Sequence, residues 1–159
     1  TKSEEDKAAL ANWRERKDDY DNMPKDGEMS IDFSYPNISS EMISLSSFRG
    51  SLVYVDVWAT WCVNCKLEHG FLMSLQNKGI KIFGLNYKDD KEKALRWLDQ
   101  FGNPYWKTIY DPKGNFGLEI GVSGAPETYL IDKRNRIIQK HIGIIDEKVW
   151  VNKFKYLMK

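Results

Sequence analysis

The stretch VDVWATWCVNCKLEHGFL, Val55 to Leu72, decides how the rest of the chain is read. It begins in a β-branched apolar run that holds one acid, Asp56. It then passes through the chain's only two cysteines, Cys62 and Cys65, into residues with helical spacing. Ser51–Ala59 (SLVYVDVWA) has the nearly continuous apolar character of a central strand covered on both faces. A helix is expected from about Val63 to Asn77, closed by Gly79. Cys62 therefore falls at a helix N-terminus, where unpaired N–H groups and a positive partial charge stabilise a thiolate. Cys65 falls one turn inside and is expected to be the more buried of the two.

Outward from this stretch, IKIFGLNY (Ile80–Tyr87) reads as a second buried strand. DDKEKALRWLDQFG reads as an amphipathic helix with Ala94, Trp97, Leu98 and Phe101 on its apolar face. Thr108–Tyr110 is a short strand, DPKGN a turn, and APETYLID and RIIQKHIGI two strands joined by DKRN. Asp146–Met158 is a closing helix. Towards the N-terminus, residues 31–49 read as short strands and turns, NMPKDG as a break, and residues 3–20 as a helix that Ser3 caps. The right-handed crossover rule makes the first β-α-β unit parallel. The expected class is α/β: a three-layer fold whose central mixed sheet has helices on both faces. It carries an extra N-terminal helix and hairpin and an inserted central helix. Residues 1–27 form a helix and linker, and residues 28–159 the main domain.

With 159 residues, 42% hydrophobic and 13% aromatic, the chain can bury a full core without a covalent staple. Its formal charge of +1, from 24 basic and 23 acidic residues, gives no reason to expect nucleic acid or an anionic membrane as partner. A monomer is expected. No stretch approaches the ~20 apolar residues that span a bilayer. A chain that opens on Thr1 rather than Met is expected to have lost a leader or a membrane anchor. A disulfide between Cys62 and Cys65 closes so short a loop that it removes little chain entropy, which argues against a mainly structural bond. A structural staple remains an alternative. So does a partial zinc site completed by His69 or His141. Glu68 follows Cys65 on one helical face that Leu72 and Leu75 continue, so it is expected to point inward, against the alternative of a solvated helix acid. His69, one step round, is expected at the surface. Gly70 weakens the helix by about 1 kcal/mol relative to alanine and leaves room for a bend. Asp56 shares a strand face with Tyr54 and Trp58, and burial there should raise its pKa.

Cys-x-x-Cys inside a β-α-β pattern resembles the thioredoxin superfamily. WATWCVNCKLEH, GLNYKDD, FGNPY and GVSGAPETYLID together resemble the DsbE/CcmG reductases of cytochrome c maturation, over Trp58 to Asp132 and more weakly to Trp150. LSSFRGSLVYVDVWATWC is closer to TlpA/ResA-type proteins, so the chain reads as a mosaic. The resemblance implies an extracytoplasmic, periplasmic protein-disulfide reductase that needs no cofactor beyond a redox-active Cys62–Cys65 disulfide. Its implied substrate is a protein disulfide, that of apocytochrome c or a maturation partner, and its implied electron donor is a DsbD-type membrane reductase. Cys62 would be the nucleophile and Cys65 the resolving thiol. Asp56 would be the acid that takes the second thiol's proton, although the lysine that accompanies it in thioredoxins is missing from IFGLN. Glu68 matches the acid of the CxxEH pattern. Trp61 would lie over the cysteines and Trp58 in the core. Pro126 resembles the fold's cis-proline, placing Ala125 and Thr128 beside a docked substrate strand. Glu127 would be a further acid near the site, against the alternative of an exposed strand residue. Together these acids are expected to disfavour a Cys62 thiolate and to make the groove selective against acidic clients. A TlpA/ResA-like reductase with another client is the alternative, and a non-catalytic binding module that uses the groove near Pro126 is the alternative of a different class.

Overall fold

The structure, a computed structural model, describes residues 34–36, 38, 42–44 and 52–157. The helix expected over residues 3–20, the break at 22–27 and the domain boundary at 27/28 lie outside these residues. β1 (Ser34–Pro36) and β2 (Met42–Ser44) pair as a small antiparallel ribbon. The main sheet has five strands: β3 (Val53–Trp58), β4 (Ile82–Tyr87), β5 (Lys107–Asp111), β6 (Glu127–Ile131) and β7 (Ile137–Ile142). Their order is β5-β4-β3-β6-β7, with β3, β4 and β5 parallel and β6 and β7 antiparallel to their neighbours. The sheet is therefore mixed, as the sequence predicts. Every residue of β3, β4 and β6 is buried, because each of these strands is flanked by two others and covered on both faces. β5 and β7 are the two edges, and both keep half-exposed residues, β7 the more of them.

Four helical segments cover the sheet. α1 (Val63–Asn77) and α2 (Lys91–Phe101) lie within the two parallel crossovers. Their buried residues Cys65, Leu72, Leu75, Ala94 and Leu98 pack with Tyr54, Trp58, Ile82 and Leu130 of the sheet. α1 continues unbroken through Gly70. α2 starts where Asp90 accepts the N–H of Lys93 at 2.9 Å. On the other face, Phe116 and Ile120 of α3 (Asn115–Ile120) pack on Val53, Val55, Val57, Phe83, Ile109 and Tyr129. α3 is absent from the sequence reading because the DPKGN turn signal is also its start. Asp111 at the end of β5 accepts the N–H groups of Phe116 and Gly117 at 3.2 and 2.9 Å, and this fixes a helix too short to show a period. The closing helix begins at Glu147–Val149, capped by Asp146. It widens to a π-helix over Trp150–Phe154 and tightens to a 3-10 turn at Lys155–Leu157. Trp150 and Phe154 both lie against Tyr54 of β3.

One glycine decides how the centre of the sheet is filled. Gly84 of β4 stands directly beside Asp56 of β3. A Cβ there would lie 2.7 and 2.8 Å from Cγ and Cδ2 of the Tyr105 ring and 2.9 Å from the Trp58 indole nitrogen. The ring of Tyr105 stacks on Trp58 with centroids 5.5 Å apart, in space that any side chain at position 84 would take. Gly84→Ala should therefore destabilise the protein by about 1–3 kcal/mol through overpacking. Denaturant melts would read this, and a variant as stable as the parent would show that the ring moves aside freely.

Candidate active site

β3 ends at Trp58, and a tight turn follows in which the N–H of Cys62 donates to the carbonyl of Ala59 at 3.2 Å. Cys62 is the N-cap of α1, and its Sγ accepts the N–H of Cys65 at 3.2 Å. The sequence places a thiol where most helices place a hydroxyl or carboxylate, so the first-turn N–H groups point at sulfur. Cys62 and Cys65 form a disulfide, with Cα atoms 5.3 Å apart. Cys65 is 2% exposed against 8% for Cys62, so the outer sulfur is the one a partner reaches first.

The turn is held from outside by Asp89. Its carboxylate accepts both the N–H and the hydroxyl of Thr60 at 2.7 Å, and Nδ2 of Asn86 at 3.1 Å. Trp61, half exposed, is steered by its indole N–H, which donates to the carbonyl of Lys88 at 3.0 Å. Val63 and Leu67 of the first turns of α1 are also exposed, giving an apolar rim around the disulfide. A cleft opens beside Trp61, and its exposed charges include Lys88, Lys93 and Arg96.

Beneath the disulfide the site is buried. Asp56 and Glu68 are both buried, on the face of the sheet that α1 covers. Asp56 Oδ2 accepts the hydroxyl of Tyr105 at 2.7 Å. Glu68 Oε1 accepts the N–H of Ile145, from the segment that leads into the closing helix, at 3.2 Å. The remaining oxygens, Asp56 Oδ1 and Glu68 Oε2, have no donor from any other residue. The two carboxyls are close enough to repel each other when both are charged, and burial adds to that cost, so the pair favours keeping one proton. Burial raises both above the ordinary carboxylate range. Glu68 is raised further, because the Asp56 charge beside it adds to the burial penalty, whereas donation from the Tyr105 hydroxyl partly offsets the penalty at Asp56. Burial and mutual repulsion thus favour a single negative charge on the two carboxyls together.

The other sequence-singled residues are placed as follows. The Ala125–Pro126 peptide bond is cis, and the Pro126 carbonyl accepts the N–H of Gly143 at 3.0 Å. Ala125 is half-buried, Trp58 is in the core, and Thr128 is the cross-strand neighbour of Asp56 on the buried face. Glu127 pairs instead with Val57 and so points into the opposite layer. One of its oxygens accepts the N–H groups of Ser123 and Gly124 and the Ser123 hydroxyl at 2.8–3.0 Å, and the other accepts the Tyr129 hydroxyl at 2.6 Å. Lys140 Nζ lies 3.6 Å away. Glu127 thus holds the loop before Pro126 and is not brought to the thiols. His69 corrects a second expectation. It is 7% exposed rather than at the surface, with Nε2–H donating to the Phe101 carbonyl at 3.1 Å and its ring edge-on to Trp97. A histidine at this step of α1 meets α2, which single-helix geometry does not reveal. Among the described residues, no group of three His, Cys, Asp or Glu side chains could hold a metal ion. The three acids expected near the groove, Asp56, Glu68 and Glu127, are all buried. Tyr105 and Asp89 were not singled out from the sequence. Both lie in stretches of the resemblance, FGNPY and GLNYKDD, but nothing in their spacing links them to Asp56 or Thr60.

Comparison with known proteins agrees with this geometry. Residues 25–156 match the Redoxin family. The thiol:disulfide interchange protein DsbE of Pseudomonas fluorescens biotype C is 47% identical over 119 residues, covering 74% of this chain and 67% of that protein. DsbE of Escherichia coli (strain K12) is 46% identical over 109 residues, 69% of this chain and 59% of that protein. The fold is shared with a secreted thiol-disulfide isomerase from Corynebacterium glutamicum, at a TM-score of 0.70 and 22% identity, over 86% of this chain and 95% of that one. A capped, disulfide-forming Cys62–Cys65 pair on this scaffold is what a thiol-disulfide oxidoreductase requires, and the chain belongs to the Redoxin family, among the thioredoxin-like DsbE proteins.

Proposed function

We propose that this oxidoreductase works as a reductant of protein disulfides outside the cytoplasm. Its clients would be the haem-binding cysteine pair of apocytochrome c or a maturation partner, and its electrons would come from a DsbD-type membrane donor. The observation that carries the reading is the asymmetry of the two sulfurs: Cys62 caps the helix and keeps a small exposed edge, whereas Cys65 lies deeper, on the face that holds Asp56 and Glu68. Similarity to the DsbE proteins supports the client class. The N-terminal likeness to TlpA/ResA-type proteins favours the same chemistry on another client.

In the reduced protein, the Cys62 thiolate attacks one sulfur of the client disulfide. A Cys62–client bond forms, and the other client sulfur leaves as a thiolate. Cys65 then gives its proton to Asp56 and attacks Cys62 Sγ. The Cys62–client bond breaks, the second client sulfur leaves as a thiolate, and the Cys62–Cys65 disulfide is restored. Two electrons have passed to the client, and the pair is oxidised until the donor reduces it. Main chain beside Ala125 and Pro126 is the docking edge for the client strand, with Trp61 flanking it and Thr128 behind it. The helix N-terminus favours a Cys62 thiolate, and the single charge at Asp56 opposes it. A less stabilised thiolate means a more stable disulfide and a reducing couple.

Trapping tests the order of attack. Cys65→Ser should accumulate mixed disulfides with partners on non-reducing gels, and Cys62→Ser should trap few. Equal trapping by both would remove the assignment of the nucleophile. Equilibration with glutathione should place the potential between about −180 and −270 mV, and a Cys-x-x-Cys-His peptide should be reduced faster than insulin. A value near ~−120 mV would instead mark an oxidase.

The carboxyl pair makes stability depend on pH. Unfolded, both groups lose their protons near pH ~4. Folded, their raised pKa values keep a proton bound well above that. The folded state then binds more protons than the unfolded, so stability is highest below the unfolded values and falls as pH rises towards the folded ones. Glu68→Gln reproduces the protonated side chain, with its amide donating to Asp56 and its oxygen accepting from Ile145. It should leave stability at pH 4 almost unchanged and raise it at pH 9 by at least about 1 kcal/mol. Parallel pH–stability curves for the two proteins would place the proton elsewhere.

A further inference from the structure

The buried pair has two members, and the reaction needs one of them to be reliably ionised. The groups that face it come from several elements. β3 contributes Tyr54, whose hydroxyl burial pushes up to about 12 and so keeps neutral. α1 contributes Cys65, and also His69, which turns away towards α2. β6 contributes Thr128, the segment before β5 contributes Tyr105, and the segment after β7 contributes the N–H of Ile145. Among the described residues no lysine, arginine or histidine forms an ion pair with either carboxyl. The choice between Asp56 and Glu68 is therefore made by neutral donors.

These donors are unequal. Tyr105 offers a hydroxyl at 2.7 Å, and Ile145 an amide at 3.2 Å. The tyrosine has little freedom. Its ring is fully buried, stacked on Trp58, and fills the space above Gly84, the residue beside Asp56 in the sheet. Its backbone N–H is fixed by Asn103 Oδ1 at 3.0 Å. We infer that Tyr105 is a positioning residue of the thiol chemistry: its hydroxyl, held over Gly84 and donated to Asp56 Oδ2, makes Asp56 the ionised member of the Asp56–Glu68 pair and so the base that takes the Cys65 proton. This rests on the resolving step proposed above. Burial keeps the Tyr105 hydroxyl itself protonated, its pKa raised well above the ordinary value, so it orients the base and does not replace it.

The test is a single-turnover measurement of mixed-disulfide resolution against pH, run beside the rate of Cys62 attack on the same substrate. In Tyr105→Phe the midpoint of the resolution profile should rise by about one pH unit, so resolution one unit below the parent midpoint slows about tenfold. The alkaline plateau and the Cys62 attack rate should be unchanged. A merely structural tyrosine would lower both rates without moving the midpoint, and that result would overturn the inference. A second measurement needs no variant. Carbon-13 NMR of the side-chain carboxyls in the reduced parent protein should show Asp56 ionising at lower pH than Glu68, and the reverse order would also overturn it. Asp56→Asn separates the two readings. If it abolishes the pH dependence while Tyr105→Phe leaves the midpoint in place, only the role of Tyr105 falls. If Asp56→Asn leaves the profile intact, the proposed base is wrong and both fall.

Discussion

Two carboxyl groups buried side by side, with no cation paired to either among the described residues, strongly disfavour being ionised together at neutral pH. That constraint organises the centre of this protein. Retaining one proton there is favoured, and four segments of the chain meet around the pair. β3 supplies Asp56, α1 supplies Glu68, the approach to β5 supplies Tyr105, and the lead into the closing helix supplies the N–H of Ile145. Removing any one partner leaves a buried polar atom unsatisfied, which costs about 1–3 kcal/mol and more when that atom is charged. The same contacts that close the fold at its centre thereby set the protonation state beneath the thiols.

The sulfurs and carboxyls form a sequence of depths. Cys62 keeps a small exposed edge, Cys65 is more deeply buried, and the acid pair lies on the buried face that α1 covers. In the proposed reaction, electrons leave outward through Cys62 while a proton moves inward from Cys65 to Asp56. The helix N-terminus acts on the outer sulfur and the carboxylate on the inner one. Two thiols three positions apart on one helix thus acquire different chemistry from a short difference in depth.

Much of this was legible in the sequence, and the gaps have physical causes. The bounds of α1 and the burial of Glu68 follow from helical spacing that a single segment carries in itself. The mixed sheet follows from apolar runs on either side of the cysteines. His69 was misplaced because its burial is made by Trp97 and Phe101 of a different helix. Glu127 was expected near the thiols because of its place beside Pro126. The strand's alternation sends it to the other face, and only the register with β3 says which face that is. Tyr105 could not be paired with Asp56 from sequence, since the contact spans 49 positions and depends on an empty place at Gly84. The missing lysine of IFGLN was visible, but the aromatic ring that fills its neighbourhood was not.

The clamp around Glu127 bears on how a client strand is received. A buried carboxylate holds two backbone N–H groups and a hydroxyl of Ser123–Gly124, and Tyr129 and Lys140 hold the carboxylate in turn. The loop that presents Ala125 and Pro126 is thus ordered when the protein folds rather than when a client arrives. Its conformational entropy is already spent before any encounter, so a strand docked there, as in the proposed reaction, would not have to order it. Most of these bonds converge on one carboxylate whose own residue is buried, so the shape of the loop is set from beneath, by the layer opposite the thiols.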